Sequence, residues 1–260
     1  MNTISSLLDK IERAKELDFG TIFGESIELF KKTWLQGFLL QLFTLIVMLP
    51  LIIVLYAPFI GMIIAQQESG YGDNEVFKDF FAGMSILYVL VVIVGVFVLG
   101  TISVALNAAF YRIVKKLDYD EQVITSDFFY FIKGKYLSKV FILMLASFGI
   151  GILAAILCYL PIIYVMVPLS YFALIFAFNP ELSVGEVVKA SFKLGNKKWL
   201  LTFGLIIVAS LLAQIVGFLL CGIGTLFTAT FVYHPIYLIY KNVVGFEEND
   251  AIEEIGTASE

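Results

Sequence analysis

The chain holds one imidazole, His234, in the run Val232-Tyr233-His234-Pro235-Ile236. An ionisable ring inside an apolar run is a candidate proton relay or metal ligand, because such groups are costly in lipid and mark function. A ligand set needs partners, though, and no second histidine exists. No Asp or Glu falls in any of the long apolar blocks either. We therefore expect a structural or interfacial role for His234, and no metal. Cys158 and Cys221 are two thiols, too few for a disulfide framework or a thiolate metal site. Each ends a long apolar run just before a Pro or Gly break, so their positions match. Two readings stay open: a disulfide or paired thiols tying the two segments in an oxidising compartment, or buried free thiols.

Tyr233, Tyr237 and Tyr240 share one helical face. Stacking on a ligand is one use for it, and an aromatic belt at a lipid boundary is the plainer one. Gly149, Gly151, Gly217, Gly222 and Gly224 lie in apolar runs with no following strand or basic residue, so they suit close helix packing, not phosphate binding. The amides Gln41, Asn107 and Gln214 are expected to bond across helices. No nucleophile elbow, phosphate loop or paired carboxylates occur. Neither catalysis nor a cofactor is expected.

What must position these residues is set by composition. The chain is 60% hydrophobic and 15% charged, against about 45–50% and about 25% in soluble domains. Its mean hydropathy is +0.94. The charges are also blocked: none falls between Lys32 and Glu68, Asp79 and Arg112, Lys139 and Glu181, or Lys198 and Lys241. Each gap exceeds the roughly 20 residues that span a hydrocarbon core. The expected fold is an all-α membrane protein with six transmembrane helices, at about 35–66, 82–111, 140–159, 162–178, 200–220 and 224–240. The third and fourth blocks are each split in two, at Cys158-Tyr159-Leu160-Pro161 and at Cys221-Gly222-Ile223-Gly224. Pro50 and Pro58 fit one kinked, tilted first span. The transmembrane domain is taken as 34–244, after N-terminal amphipathic and interfacial helices (1–33) and before an acidic, disordered tail (245–260). A short amphipathic helix is expected at 5–17, capped by Ser5 or Ser6. The first 30 residues lack a signal-peptide core, so the first membrane helix is expected to act as its own insertion signal.

Counting Lys and Arg per connecting segment gives five, one, six, zero, four, zero and one. That alternation follows the positive-inside rule and puts both ends in the cytoplasm. The net charge of −5 and the lack of a basic stripe exclude a nucleic-acid partner.

A three-fold unit is also expected. Gly24–Trp34, Ser126–Tyr136 and Gly185–Trp199 each run from a small residue and an acid through apolar turns to Lys and an aromatic. Each would be a cytoplasmic interfacial helix feeding a transmembrane hairpin, with Trp34, Tyr136 and Trp199 as interfacial anchors. In the first, Phe23, Ile27, Phe30 and Trp34 form the expected membrane-facing stripe.

The run Asp18-Phe19-Gly20-Thr21-Ile22-Phe23-Gly24-Glu25-Ser26, with Ser191–Trp199 and the glycine break around Cys221, resembles a family of uncharacterised bacterial inner-membrane proteins. That family is related to the membrane domain of glycerophosphoryl diester phosphodiesterases. The resemblance spans most of the chain and implies a six-helix domain in the bacterial inner membrane, with no established activity. A carotene-cleaving oxygenase, a name some members carry, needs several iron-binding histidines, and His234 is alone. The expected function is a non-catalytic, membrane-organising module whose partners are membrane lipids, another membrane protein or a second copy of itself. A small-solute or lipid transporter is the alternative, motivated by repeats and broken helices.

Overall fold

The computed structural model describes residues 3–69, 86–157 and 160–246. The expected loop at 67–81 (from residue 70), Cys158 and the acidic tail from 247 lie outside the described residues. Every described element is helical: α1 (Ile4–Glu12), α2 (Phe19–Ser69), α3 (Ile86–Asp118), a 3-10 segment η1 (Thr125–Ile132), α4 (Gly134–Ile156), α5 (Leu160–Ser170), α6 (Phe172–Phe178), α7 (Val184–Lys197), α8 (Trp199–Leu219), α9 (Thr225–Thr228), a second 3-10 segment η2 (Ala229–Val232) and α10 (Tyr233–Val243). Five described segments are long and apolar enough to cross a membrane: Phe19–Ile64, Ile86–Asp118, Gly134–Ile156, Leu160–Phe178 and Trp199–Leu219.

Helix α1 starts one turn earlier than expected, because Thr3, not Ser5 or Ser6, caps it by accepting from the Ser6 amide. Its buried Leu7 and Ile11 pack on α7. The first interfacial helix does not exist as a separate element. Its residues are the opening turns of α2, a 51-residue helix of about 76 Å. Asp18 caps this helix, accepting from the Thr21 amide at 2.8 Å and the Thr21 hydroxyl at 3.0 Å. Those two bonds, the amide first, hold the Asp18 carboxyl below its usual range. Glu and Lys are good helix formers, so the charges at Glu25, Glu28, Lys31 and Lys32 mark no break in the backbone.

The buried stripe of this region is Ile22, Ser26, Leu29 and Thr33, one position round from the expected Phe23, Ile27, Phe30 and Trp34. Burial of two hydroxyls is possible because each has an acceptor within reach, Ile22 O at 2.7 Å for Ser26, and for Thr33 either Leu29 O at 3.1 Å or a side chain of a later element. The expected stripe is only partly covered by protein: the Phe30 ring lies 5.4 Å from Phe231 and the Trp34 ring 6.3 Å from Phe227, while Ile27 and Trp34 stay exposed.

The other two expected surface helices also differ. Ser126–Tyr136 folds as η1 and then enters α4, while Gly185–Trp199 is mostly α7. Ser183 and Glu186 close a capping box at the start of α7, each side chain bonding the other's amide. The bonds from the Ser183 amide and hydroxyl keep the Glu186 carboxyl low. The apolar face of α7 (Val187, Ala190, Leu194) is buried against α1, α5 and α6, so it is not free to lie in headgroups.

Helix α4 ends at Ile156 and α5 begins at Leu160, while Cys158 and Tyr159 of the first expected break lie outside the described residues. The second expected break is present between Leu219 and Thr225, where Gly222 takes φ +85°, a conformation open to glycine without a Cβ clash. The last expected span, 224–240, is not continuous. It is divided into α9, η2 and α10, and most side chains of α10 from His234 to Tyr240 are buried in protein. The segment 162–178 is likewise divided at Tyr171, just after Pro168. The hydrophobic core gathers around Thr101–Val114 of α3, which α2, η1, α4, α6 and α10 enclose.

Candidate functional site

His234 sits in that core as a junction residue. Pro235 brings no N–H for the carbonyl four residues earlier, and His234 Nδ1 faces that carbonyl, Phe231 O, at 3.2 Å and Thr230 O at 3.1 Å. Carbonyls only accept, so Nδ1 carries the proton and the neutral ring accepts at Nε2. Thr33 Oγ1 lies 2.5 Å from Nε2 and supplies that hydrogen, with Leu29 O as its alternative acceptor. Phe30, Phe110 and Phe231 surround the ring. Beside it a Cβ on Gly37 would fall 2.2 Å from Thr230 Oγ1, so only glycine lets α2 approach η2 this closely. The imidazole joins helices and faces no open space.

The tyrosines expected as a belt are interior. Tyr237 donates to Asp118 Oδ2 at 2.8 Å, Lys241 reaches the same oxygen at 2.6 Å, and Asn179 donates to the Tyr240 hydroxyl at 2.9 Å. Tyr233 stands edge-on to Tyr111. Asp118 thus ties α10 to α3, and Asp120 ties α2 to the same end through Lys32 at 2.9 Å. Lys116 holds Asp127 of η1 at 2.9 Å. Burial raises the Asp127 carboxyl, but the Lys116 bond and the Ile124 amide outweigh it and leave the group below its usual value. Lys198, buried at the α7–α8 joint, donates to Lys15 O. Burial, then the neighbouring Lys197, lowers its pKa against an opposing pull from Glu16.

The remaining expected residues are scattered. Trp34 is exposed, Tyr136 stacks on Tyr130 at 5.7 Å, and Trp199 donates to Tyr164 O at 3.0 Å while stacking on Phe203. Cys221 is exposed, and its expected partner Cys158 is outside the described residues. Gln41, Asn107 and Gln214 form no hydrogen bond among the described residues, against the expectation of cross-helix bonding. No three His, Cys, Asp or Glu among the described residues could hold a metal ion.

Two lateral grooves, which sequence reading did not find, open on the apolar flanks. One of about 250 Å³ is lined by Ile27, Phe30, Leu212, Ala213, Val216, Thr228 and Phe231, between α2, α8 and the α9–η2 segment. The other, also about 250 Å³, lies between Val98, Thr101 and Ile102 of α3 and Leu137, Ser138 and Phe141 of α4. Toward the charged end of α3, the Arg112 guanidinium lies 4.1 Å from the centre of the Tyr130 ring, with Lys133 at 5.8 Å from the same ring. Only the spacing on α3 could have hinted at this, since Val98, Thr101, Ala105 and Arg112 fall on one stripe.

No family model, curated protein or solved structure matches the chain.

Proposed function

We propose that the protein is a non-catalytic multi-pass membrane module that interacts with lipids or a partner membrane protein through its apolar flanks. The observation that carries this reading is the distribution of exposed apolar side chains. They run along the halves of α2, α3, α4 and α8 remote from the ion pairs, from Ile46 to Ile64, Ile86 to Val98, Phe148 to Leu157 and Leu211 to Phe218. So large an apolar surface needs lipid or another protein against it. The ion pairs and polar ties between helices, such as Asp118 with Tyr237 and Lys241, lie away from these surfaces.

Within this reading the membrane is the bacterial inner membrane and both ends are cytoplasmic, supported by the Lys and Arg alternation. The resemblance to the phosphodiesterase-linked membrane family and its six-helix plan belong to the same proposal. A sixth crossing would have to be made by the broken α9–η2–α10 segment.

The transporter reading is less favoured, because both grooves have apolar linings and open sideways. Proteoliposomes decide between the two. We expect no saturable solute flux and no lipid movement between leaflets above that of empty vesicles; either one would sink the non-transport reading. Topology is tested with Cys158 and Cys221 replaced by Ser. Gly70→Cys should then label from the outside and Asp250→Cys only after permeabilisation. Outside labelling at 250 would reverse the orientation.

A further inference from the structure

We propose that the α3–α4 groove and the basic rim at its charged end bind one anionic phospholipid, the phosphate on Arg112 and Lys133 and an acyl chain in the groove. The inference rests on the lipid-interacting reading above and gives it a ligand class and a site.

The rim carries two cations, Arg112 and Lys133, that form no salt bridge among the described residues, Arg112 acting on Asp127 only at longer range. The nearby carboxylates are taken: Asp127 by Lys116 at 2.9 Å and Glu181 by Lys135 at 3.6 Å. The Arg112 guanidinium carbon lies over the Tyr130 ring at 4.1 Å, and Tyr130 stacks with Tyr136. A guanidinium over a ring keeps N–H donors for an acceptor, and its planar fork matches the oxygens of a phosphate. Lys133 adds an exposed point charge beside the same ring, 5.8 Å from its centre.

The depth also fits. Ile102, in the groove, is ten residues before Arg112 on α3, about 15 Å along the axis. That is about half of a 30 Å hydrocarbon core, so a lipid anchored at Arg112 reaches the groove within its own leaflet. Ser138, exposed on the groove wall and without a hydrogen-bond partner among the described residues, can donate to an ester carbonyl. By the positive-inside count this end is cytoplasmic, where the anionic lipids of the inner leaflet lie. The α2–α8 groove lacks such a rim, because Lys31 pairs with Glu28 at 2.6 Å and Lys32 with Asp120 at 2.9 Å.

The test is native mass spectrometry of the full chain released from nanodiscs of phosphatidylcholine doped with phosphatidylglycerol. We expect phosphatidylglycerol to be retained well above its bulk ratio. Lys133→Gln, at an exposed position that does not threaten folding, should lower the enrichment about fivefold. Arg112→Gln should lower it at least as far, and Arg112→Lys, which keeps charge but not the fork, should fall between. Ile102→Trp should reduce the enrichment by filling the groove with the rim intact, and Lys31→Gln should leave it unchanged. Enrichment unaltered by Lys133→Gln or by Ile102→Trp would overturn the proposal. So would loss of the bound lipid to millimolar inorganic phosphate, which would make the site one for free anions. Lipids retained in their bulk ratio would sink this site while leaving the general lipid reading in place. No retained lipid of any kind would sink both.

Discussion

Helix α3 behaves as two different helices joined end to end. From Ile86 to Val98 most of its side chains are exposed, Ile86 itself at 81%; from Ala105 to Val114 nearly all are buried. The exposed half is the more apolar of the two, almost wholly Val, Ile and Leu, while the buried half carries Asn107, Tyr111 and Arg112, so hydropathy alone would bury the wrong one. The second half is enclosed by distant segments, and at its end Asp118 takes bonds from both Tyr237 and Lys241. The first half has few protein neighbours beyond α2 and α4 and almost no polar groups to match. One end is organised by packing, the other by the solvent it is meant to meet.

The same deletion in each half gives the largest contrast. Leu106→Ala, in the enclosed half, should cost about 2–5 kcal/mol. Leu90→Ala, half-exposed on the same helix, should cost about 0.5 kcal/mol or less. Thermal unfolding in one detergent measures both, and equal losses would erase the distinction between the halves. A charge reverses the sensitivity. Val94→Arg, on the exposed half, should raise the cost of membrane insertion by about 2.5–3.5 kcal/mol, read in a translocon insertion assay. Free insertion would mean that this face meets water. Smaller effects belong to the charged end. Ser183→Ala removes the α7 cap and should cost about 1 kcal/mol without altering insertion; a change in topology would contradict a purely local role.

The smallest effect is a pH dependence at Asp127. Its folded pKa lies below the ordinary 3.8, so the Lys116 pairing contributes stability above that value. The contribution is lost as pH falls through the folded pKa. Wild type should therefore exceed Asp127→Asn in stability at neutral pH, and the gap should close below about pH 4. A gap that does not change with pH would assign the effect to packing.

Much of the class of this fold was legible from local signals. The helical content and the break at Cys221–Gly224 follow from hydropathy and from residues that cannot continue a helix. Local signals failed where continuity or pairing was at stake. Charged Glu25 to Lys32 read as a surface helix, yet good helix formers carry the backbone straight through. Phe23, Ile27, Phe30 and Trp34 read as the apolar stripe, yet the buried one is Ile22, Ser26, Leu29 and Thr33, with the Ser26 hydroxyl satisfied on the preceding turn and Thr33 on His234. Tyr237 read as a belt residue because its acceptor, Asp118, is 119 residues away.

The amino-acid sequence by itself determined that this chain is helical, apolar enough for lipid, and punctuated at Cys221–Gly224. These are properties of neighbours along the chain, and neighbours alone decide them. Tertiary structure decided which half of each helix is covered, that His234 meets Thr33 across 201 residues, and that Arg112 is left unpaired beside a groove. Those depend on the distances among remote segments, and no window of sequence contains them.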